Sequence, residues 1–126
     1  MFSTLLSVAL GGAIGASGRY LVNVSVMRIV GPGFPFGTMV ANVLGSFIMG
    51  VIVVLLARRD GMAYAPFLMT GLLGGFTTFS AFSLDTITLF ERGELGQAGL
   101  YVAFSVGLSL AAIALGVLAT RAMVAA

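Results

Sequence analysis

Apolar residues gather in four long runs, at about 3–28, 37–57, 65–90 and 96–120, and polar residues fall mostly between them. Each run reaches the roughly 20 residues that a helix needs to cross a bilayer. The breaks between runs carry turn and charge signals: Gly31-Pro32-Gly33-Phe34-Pro35, then Arg58-Arg59-Asp60-Gly61, then Glu91-Arg92-Gly93-Glu94. All three prolines lie outside the runs or at an entry, as Pro66 does, where the missing backbone N–H costs least. The pattern predicts an all-α membrane protein of four transmembrane helices. The connections are too short for an extramembrane domain, so residues 1–126 form a single unit.

The third run departs from a good helix. Gly61 to Leu84 is free of charge, which places it at membrane depth, yet its centre reads Gly71-Leu-Leu-Gly74-Gly75-Phe76-Thr77-Thr78-Phe79-Ser80-Ala81-Phe82-Ser83. Paired glycines carry the greatest backbone entropy cost, and a Thr-Thr pair adds β-branching. Hydroxyls at Thr77, Thr78, Ser80 and Ser83 compete for backbone groups. In lipid, an interrupted helix survives only where protein or a water-filled cavity satisfies the freed groups. Such a break brings carbonyls and amides near the midplane, where ions can be held. One reading is a broken third helix with an ion site; the other is a continuous helix whose small residues allow close packing.

Composition sharpens the membrane assignment and removes most chemistry. The chain is 60% hydrophobic and 8% charged, with a mean hydropathy of +1.16, beyond what a soluble domain of this size can bury. Cys, His, Lys and Trp are all absent. Thiol chemistry, disulfides, ordinary zinc sites and imidazole acid–base catalysis are thereby excluded, and no acid, base and nucleophile assemble from the remaining groups. An enzyme is not expected. The first charge is Arg19, so the basic region of a cleaved signal is missing and the first run is expected to remain a spanning helix.

Charge says little about orientation. Four spans put the termini and the 58–61 loop on one side, and the 29–36 and 91–95 loops on the other. Arg58, Arg59 and Arg121 stand against Arg28 and Arg92, almost no positive-inside bias. A chain so balanced can insert both ways and pair with an inverted copy, or its first segment can settle a fixed topology. Small residues four apart, as at Gly11/Gly15, Gly12/Ala16, Ala41/Gly45, Gly71/Gly75 and Ala112/Gly116, mark helix contacts.

Each polar residue inside a span needs a partner or a role. Arg19, with Asn23 one turn on, either pairs with backbone carbonyls or supplies positive potential and braces the third helix. Asn42, one turn after Thr38, either bonds across helices or offers amide donors to a small anion. Tyr101, Ser105 and Ser109 share one face of the fourth helix; they form a line of hydroxyl donors or bond back to their own helix. Phe76, Phe79 and Phe82 recur every three residues, which ordinarily means packing, although ring edges are positive and can meet an anion. The first two runs hold no acidic side chain and the third only Asp85, so backbone carbonyls are the ligands available to a cation.

The stretch Gly74-Gly75-Phe76-Thr77-Thr78-Phe79-Ser80-Ala81-Phe82-Ser83 closely resembles the GG-x-(T/S)TFSTF motif of the Fluc (CrcB) fluoride channels. Gly11-Gly12-Ala13-Ile14-Gly15 leading to Arg19, and Gly37-Thr38-Met39-Val40-Ala41-Asn42-Val43-Leu44-Gly45, agree in order and spacing. The resemblance covers nearly the whole chain. It implies a dual-topology, antiparallel homodimer in the bacterial inner membrane that exports fluoride passively from the cytoplasm and so confers fluoride resistance. It also implies two pores, each lined by Asn42, Phe79, Ser80, Phe82, Tyr101, Ser105 and Ser109, with Phe79 and Phe82 holding the anion at their ring edges. Arg19 then supports the centre, and a structural sodium is held there by main-chain oxygens of Gly74 and Thr77 from both copies. Two positions depart from the pattern: Ala81 replaces a hydroxyl residue, and Asp85 replaces a glutamate near the vestibule.

Two other readings fit four helices. A proton-coupled multidrug exchanger needs an embedded carboxylate, but the first two runs have none and Asp85 lies towards a helix end. A non-transporting accessory subunit would show no transport phenotype when Asn42 or Phe82 is altered.

Overall fold

The computed structural model describes residues 1–58 and 60–125; Arg59, one of the charges in the orientation balance, and Ala126 lie outside the described residues. Four helical spans make up the chain. Helix α1 covers Phe2–Val30 and α2 covers Phe36–Leu56. The third span, Gly61–Glu91, is composite: a 3₁₀ turn at Gly61–Tyr64, a π-helix at Pro66–Leu73, the short α3 at Gly74–Phe76, and α4 at Phe79–Glu91. Helix α5 covers Leu95–Ala125. All four spans are long and apolar enough to cross a membrane. Their limits lie within a few residues of those the hydropathy pattern predicts, with α5 running further towards the C-terminus.

Between α3 and α4 the backbone leaves helical geometry for two residues. Thr77 has φ −88° and ψ 158°, and Thr78 has φ −154° and ψ 119°, both extended. The last regular helical bond before the break is that of the Thr77 N–H to the Leu73 carbonyl, and helix resumes at Phe79.

Two seams of small residues hold the spans together. Along the first, α1 lies against the π-helix and α3. A Cβ on Gly75 would stand 2.7 Å from the Gly12 carbonyl oxygen, and one on Gly15 would strike the Leu72 carbonyl oxygen. Along the second, α2 lies against α5, where a Cβ on Gly50 would strike the Ile113 carbonyl oxygen and one on Gly116 that of Phe47. Most of the spaced small pairs in the sequence thus serve contacts within one chain. Without a hydrophobic drive between helices in lipid, this backbone proximity supplies the dispersion contact. Cross-loop hydrogen bonds tie off the two ends: Arg58 Nη1 donates to the Val124 carbonyl at 3.1 Å, and Arg92 Nη2 to that of Gly33 at 3.1 Å. The connections therefore alternate between ends, and α2 and α5 run parallel.

Candidate functional site

The interruption is held open by side chains from other spans. Asn42 of α2 closes on Thr78 with both ends of its amide. Its Nδ2 donates to the Thr78 carbonyl at 3.1 Å, and its Oδ1 accepts from the Thr78 N–H at 2.7 Å. Arg19 of α1 donates from Nε to the Gly75 carbonyl at 3.1 Å. The hydroxyl of Thr78 accepts from the Ala81 N–H at 3.1 Å, capping α4 as a threonine ahead of a helix does. These partners satisfy groups that water cannot reach at membrane depth.

The same bonds release particular carbonyls. In an unbroken helix the Gly74 carbonyl would accept from the Thr78 N–H, and that of Thr77 from the Ala81 N–H. Those two donors are instead engaged by Asn42 and by the Thr78 hydroxyl. Thr77 turns its own N–H and hydroxyl back to the Leu73 carbonyl, each at 2.9 Å. The break therefore leaves main-chain oxygens of Gly74 and Thr77 without their regular partners. Among the described residues, no group of three or more acidic, His or Cys side chains is placed to hold a metal.

Beside the break lies a groove of about 400 Å³ between α2, the third span and α5. Its polar lining includes Asn42, Ser46, Thr77, Thr78, Ser105 and Ser109, and both Phe79 and Phe82 border it. Ser105 is 5% exposed, and its Oγ has no hydrogen-bond partner. An orphaned hydroxyl there is unusual, since a buried polar atom without a partner costs about 1–3 kcal/mol. Phe79 is 78% exposed, Phe82 is half-buried, and their ring centroids are 5.5 Å apart at 45°. The N-terminus of α4, with its partial positive charge, opens at the groove edge through Thr78 and Phe79.

Of the seven expected pathway residues, the groove brings together Asn42, Phe79, Phe82, Ser105 and Ser109. Ser80 and Tyr101 do not line it. Ser80 is exposed, and its hydroxyl pairs with that of Thr78 at 3.2 Å. Tyr101 is fully buried and donates its hydroxyl to Asp85 Oδ2 at 2.9 Å. Its ring lies 5.3 Å from Phe82 and edge-on to Phe34 at 5.5 Å. Asp85 also borders a second cavity, of about 310 Å³, with Asn23 and Thr38. Tyr101 thus packs against the Phe82 ring at the groove while its hydroxyl engages Asp85 at the cavity.

Sequence reasoning missed two members of this site. In the sequence Thr78 reads as a helix-weakening hydroxyl and a motif residue, although a threonine immediately before a resumed apolar period is also a capping signal. Ser46, one turn beyond Asn42 on α2, had the same i+4 signal that drew attention to Ser105 and Ser109.

Residues 6–117 match the family model described as CrcB-like protein, Camphor Resistance (CrcB). The "Fluoride-specific ion channel FluC" of Cereibacter sphaeroides (strain ATCC 17029) is 65% identical over 125 residues, covering 99% of this chain and 100% of its own. Proteins of the same name are similar in Ruegeria sp. (strain TM1040), at 61% over 96% of this chain and 97% of the relative, and in Paracoccus denitrificans (strain Pd 1222), at 54% over 99% and 100%.

Proposed function

The chain belongs to the CrcB family and is a multi-pass membrane protein of bacterial type, and from that premise we propose that it is a fluoride-selective channel. The observation that carries this reading is the groove around the unpartnered Ser105 hydroxyl. A fluoride ion entering a membrane sheds strongly bound water, so the path must return hydrogen-bond donors and positive edges at close range. Hydroxyls of Ser105 and Ser109, the remaining N–H of Asn42 and the edges of Phe79 and Phe82 are of that kind. Ring edges and a narrow passage favour the smallest halide. Transport in this reading is passive, down the fluoride gradient, from cytoplasm to exterior, and confers fluoride resistance on the cell; the first two spans carry no carboxylate through which proton movement could drive it.

The functional unit is an antiparallel homodimer of dual topology with two pores, in the cytoplasmic membrane. The small positive-inside bias of the sequence supports it. So does the outward presentation of the break: Gly74 and Phe79 are exposed in the single chain, which leaves them for a second copy. A structural Na⁺ fits the main-chain oxygens of Gly74 and Thr77, since hard oxygens freed by an unwound helix suit a monovalent hard cation. Bound there, it would supply positive charge between the two copies. Arg19, through the Gly75 carbonyl, positions the backbone of that centre.

The test is efflux from liposomes loaded with fluoride or chloride and purified protein, read with ion-selective electrodes. Rapid fluoride release with chloride retained supports the reading; equal release of both, or of neither, removes it.

A further inference from the structure

The α2–α5 seam has a register that extends the polar path beyond Asn42. Gly50 and Gly116 pack on each other, a Cβ on Gly50 facing the Ile113 carbonyl and one on Gly116 the Phe47 carbonyl, so Gly50 and Gly116 are level on two parallel helices. Counting back from that level sets Ser46 beside Ala112, with Ser109 between the levels of Asn42 and Ser46 and Ser105 between those of Thr38 and Asn42. Polar positions of α2 and α5 thus alternate along this part of the seam, and Ser46 is the last of them. Asn42, Ser46, Ser105 and Ser109 all line the same groove.

The α2 side of this ladder is short of donors. One N–H of the Asn42 amide is committed to the Thr78 carbonyl at 3.1 Å, so Asn42 has a single N–H left for the groove. Past Ser46 the groove is lined by Met49, Leu110 and Ile113, none of which carries a side-chain donor for an anion. An ion between these apolar residues and Asn42 has only one α2 hydroxyl to meet.

We propose that Ser46 is a pathway residue: its hydroxyl, in the same groove as Ser109 and about one turn beyond it, takes the anion at the last polar position before the apolar end of the groove. The inference rests on the fluoride-channel reading and deepens it. Ser46 and Ser109 form the donor pair through which the ion exchanges its hydration shell for protein at that end, and Asn42 and Ser105 form the next. Selectivity for the small anion is set partly at the first of these pairs, since a larger halide gains less from two closely spaced hydroxyls.

The experiment compares fluoride and chloride efflux from liposomes for the wild type, Ser46→Ala, Ser46→Thr and Thr88→Ala. Thr88 is the control, because its hydroxyl is exposed and donates to the Leu84 carbonyl of its own helix at 2.8 Å. Ser46→Ala should slow fluoride efflux about tenfold or more, the size of one lost hydrogen bond to a charged group. Ser46→Thr, which keeps the hydroxyl, should stay near the wild type, and Thr88→Ala should match it. Combining Ser46→Ala with Ser109→Ala should slow efflux less than the product of the single effects, because the two act on one ion. If Ser46→Ala is poorly folded by gel filtration, Ser46→Cys keeps the volume with a weak donor and should show the same loss. Wild-type efflux in Ser46→Ala, or equal losses in Ser46→Ala and Ser46→Thr, overturns the proposal and leaves the channel standing. Absence of fluoride efflux from the wild type overturns both.

Discussion

Asn42 allows the fold of the break to be tested apart from the proposed transport role, because in that proposal one amide serves both. It gives one hydrogen bond to Thr78 and takes one from it, at 3.1 Å and 2.7 Å. Asn42→Ala removes both and leaves an N–H and a carbonyl unpaired at membrane depth. Side-chain hydrogen bonds in membrane proteins are worth about 0.6 kcal/mol on average and up to about 1.7 each, so the pair accounts for roughly 1–3 kcal/mol. Asn42→Asp keeps the acceptor for the Thr78 N–H but replaces the donor with a carboxylate oxygen facing the Thr78 carbonyl. It therefore loses one bond, adds repulsion, and sets a negative charge in the groove.

The two variants should rank differently in two assays. In thermal unfolding in detergent, Asn42→Ala should be destabilised by roughly 1–3 kcal/mol, with faster hydrogen exchange at Thr78. In liposome efflux, Asn42→Asp should release fluoride at least about a hundredfold more slowly, since an unpaired like charge in a low-dielectric path costs several kcal/mol and each 1.4 kcal/mol is about tenfold. Unchanged exchange at Thr78 in Asn42→Ala would refute the clasp. Wild-type efflux through Asn42→Asp would refute the placement of the anion beside this amide.

Three further outcomes are expected. Thr78→Ala removes the cap on Ala81 N–H and should lower stability by about 1 kcal/mol, with Thr78→Ser restoring most of it; both are read by thermal unfolding. Gly15→Ala would drive a Cβ into the Leu72 carbonyl, backbone against backbone, and should cost about 1–3 kcal/mol with reduced yield of folded protein. Phe82→Ile keeps an apolar side chain between Phe79 and Tyr101 but removes the ring edge; it should fold normally and lose fluoride efflux, and retained efflux would count against ring-edge binding.

How much of this was legible in the sequence depends on how local the cause is. The spans and their limits follow from hydropathy and from turn residues that act where they stand. The weakness of the third helix is also local, in its glycines and threonines. Which two residues become extended is not local: it depends on Asn42, 36 positions from Thr78 along the chain. The same distinction explains Ser80 and Tyr101. Phe79 borders the groove, and the next residue on a helix lies about 100° round, so Ser80 faces away. Tyr101 does share a face with Ser105 and Ser109, but its longer side chain reaches Asp85, a partner set by how α4 crosses α5. Helical periodicity gave the face; it could not give the reach.

The cost of the break and the use of the break have one origin. A helix interrupted in lipid must find donors and acceptors from its neighbours, and here α1 sends Arg19 while α2 sends Asn42. Arg19 arrives because glycines bring α1 and the third span into backbone contact, and Asn42 because Gly45, three residues on, lets α2 lie against Thr77 and Phe76, while Gly50 and Gly116 bring α2 and α5 equally close. That closeness also sets the width of the groove at which the hydroxyls of α2 and α5 face each other. A larger residue on either seam would therefore widen the polar levels and loosen the clasp on Thr78 together. In the proposed channel, selectivity for a small anion and stability of the interrupted span should fall in parallel along a series of seam substitutions. Selectivity lost at full stability would separate the two and place the filter elsewhere in the chain.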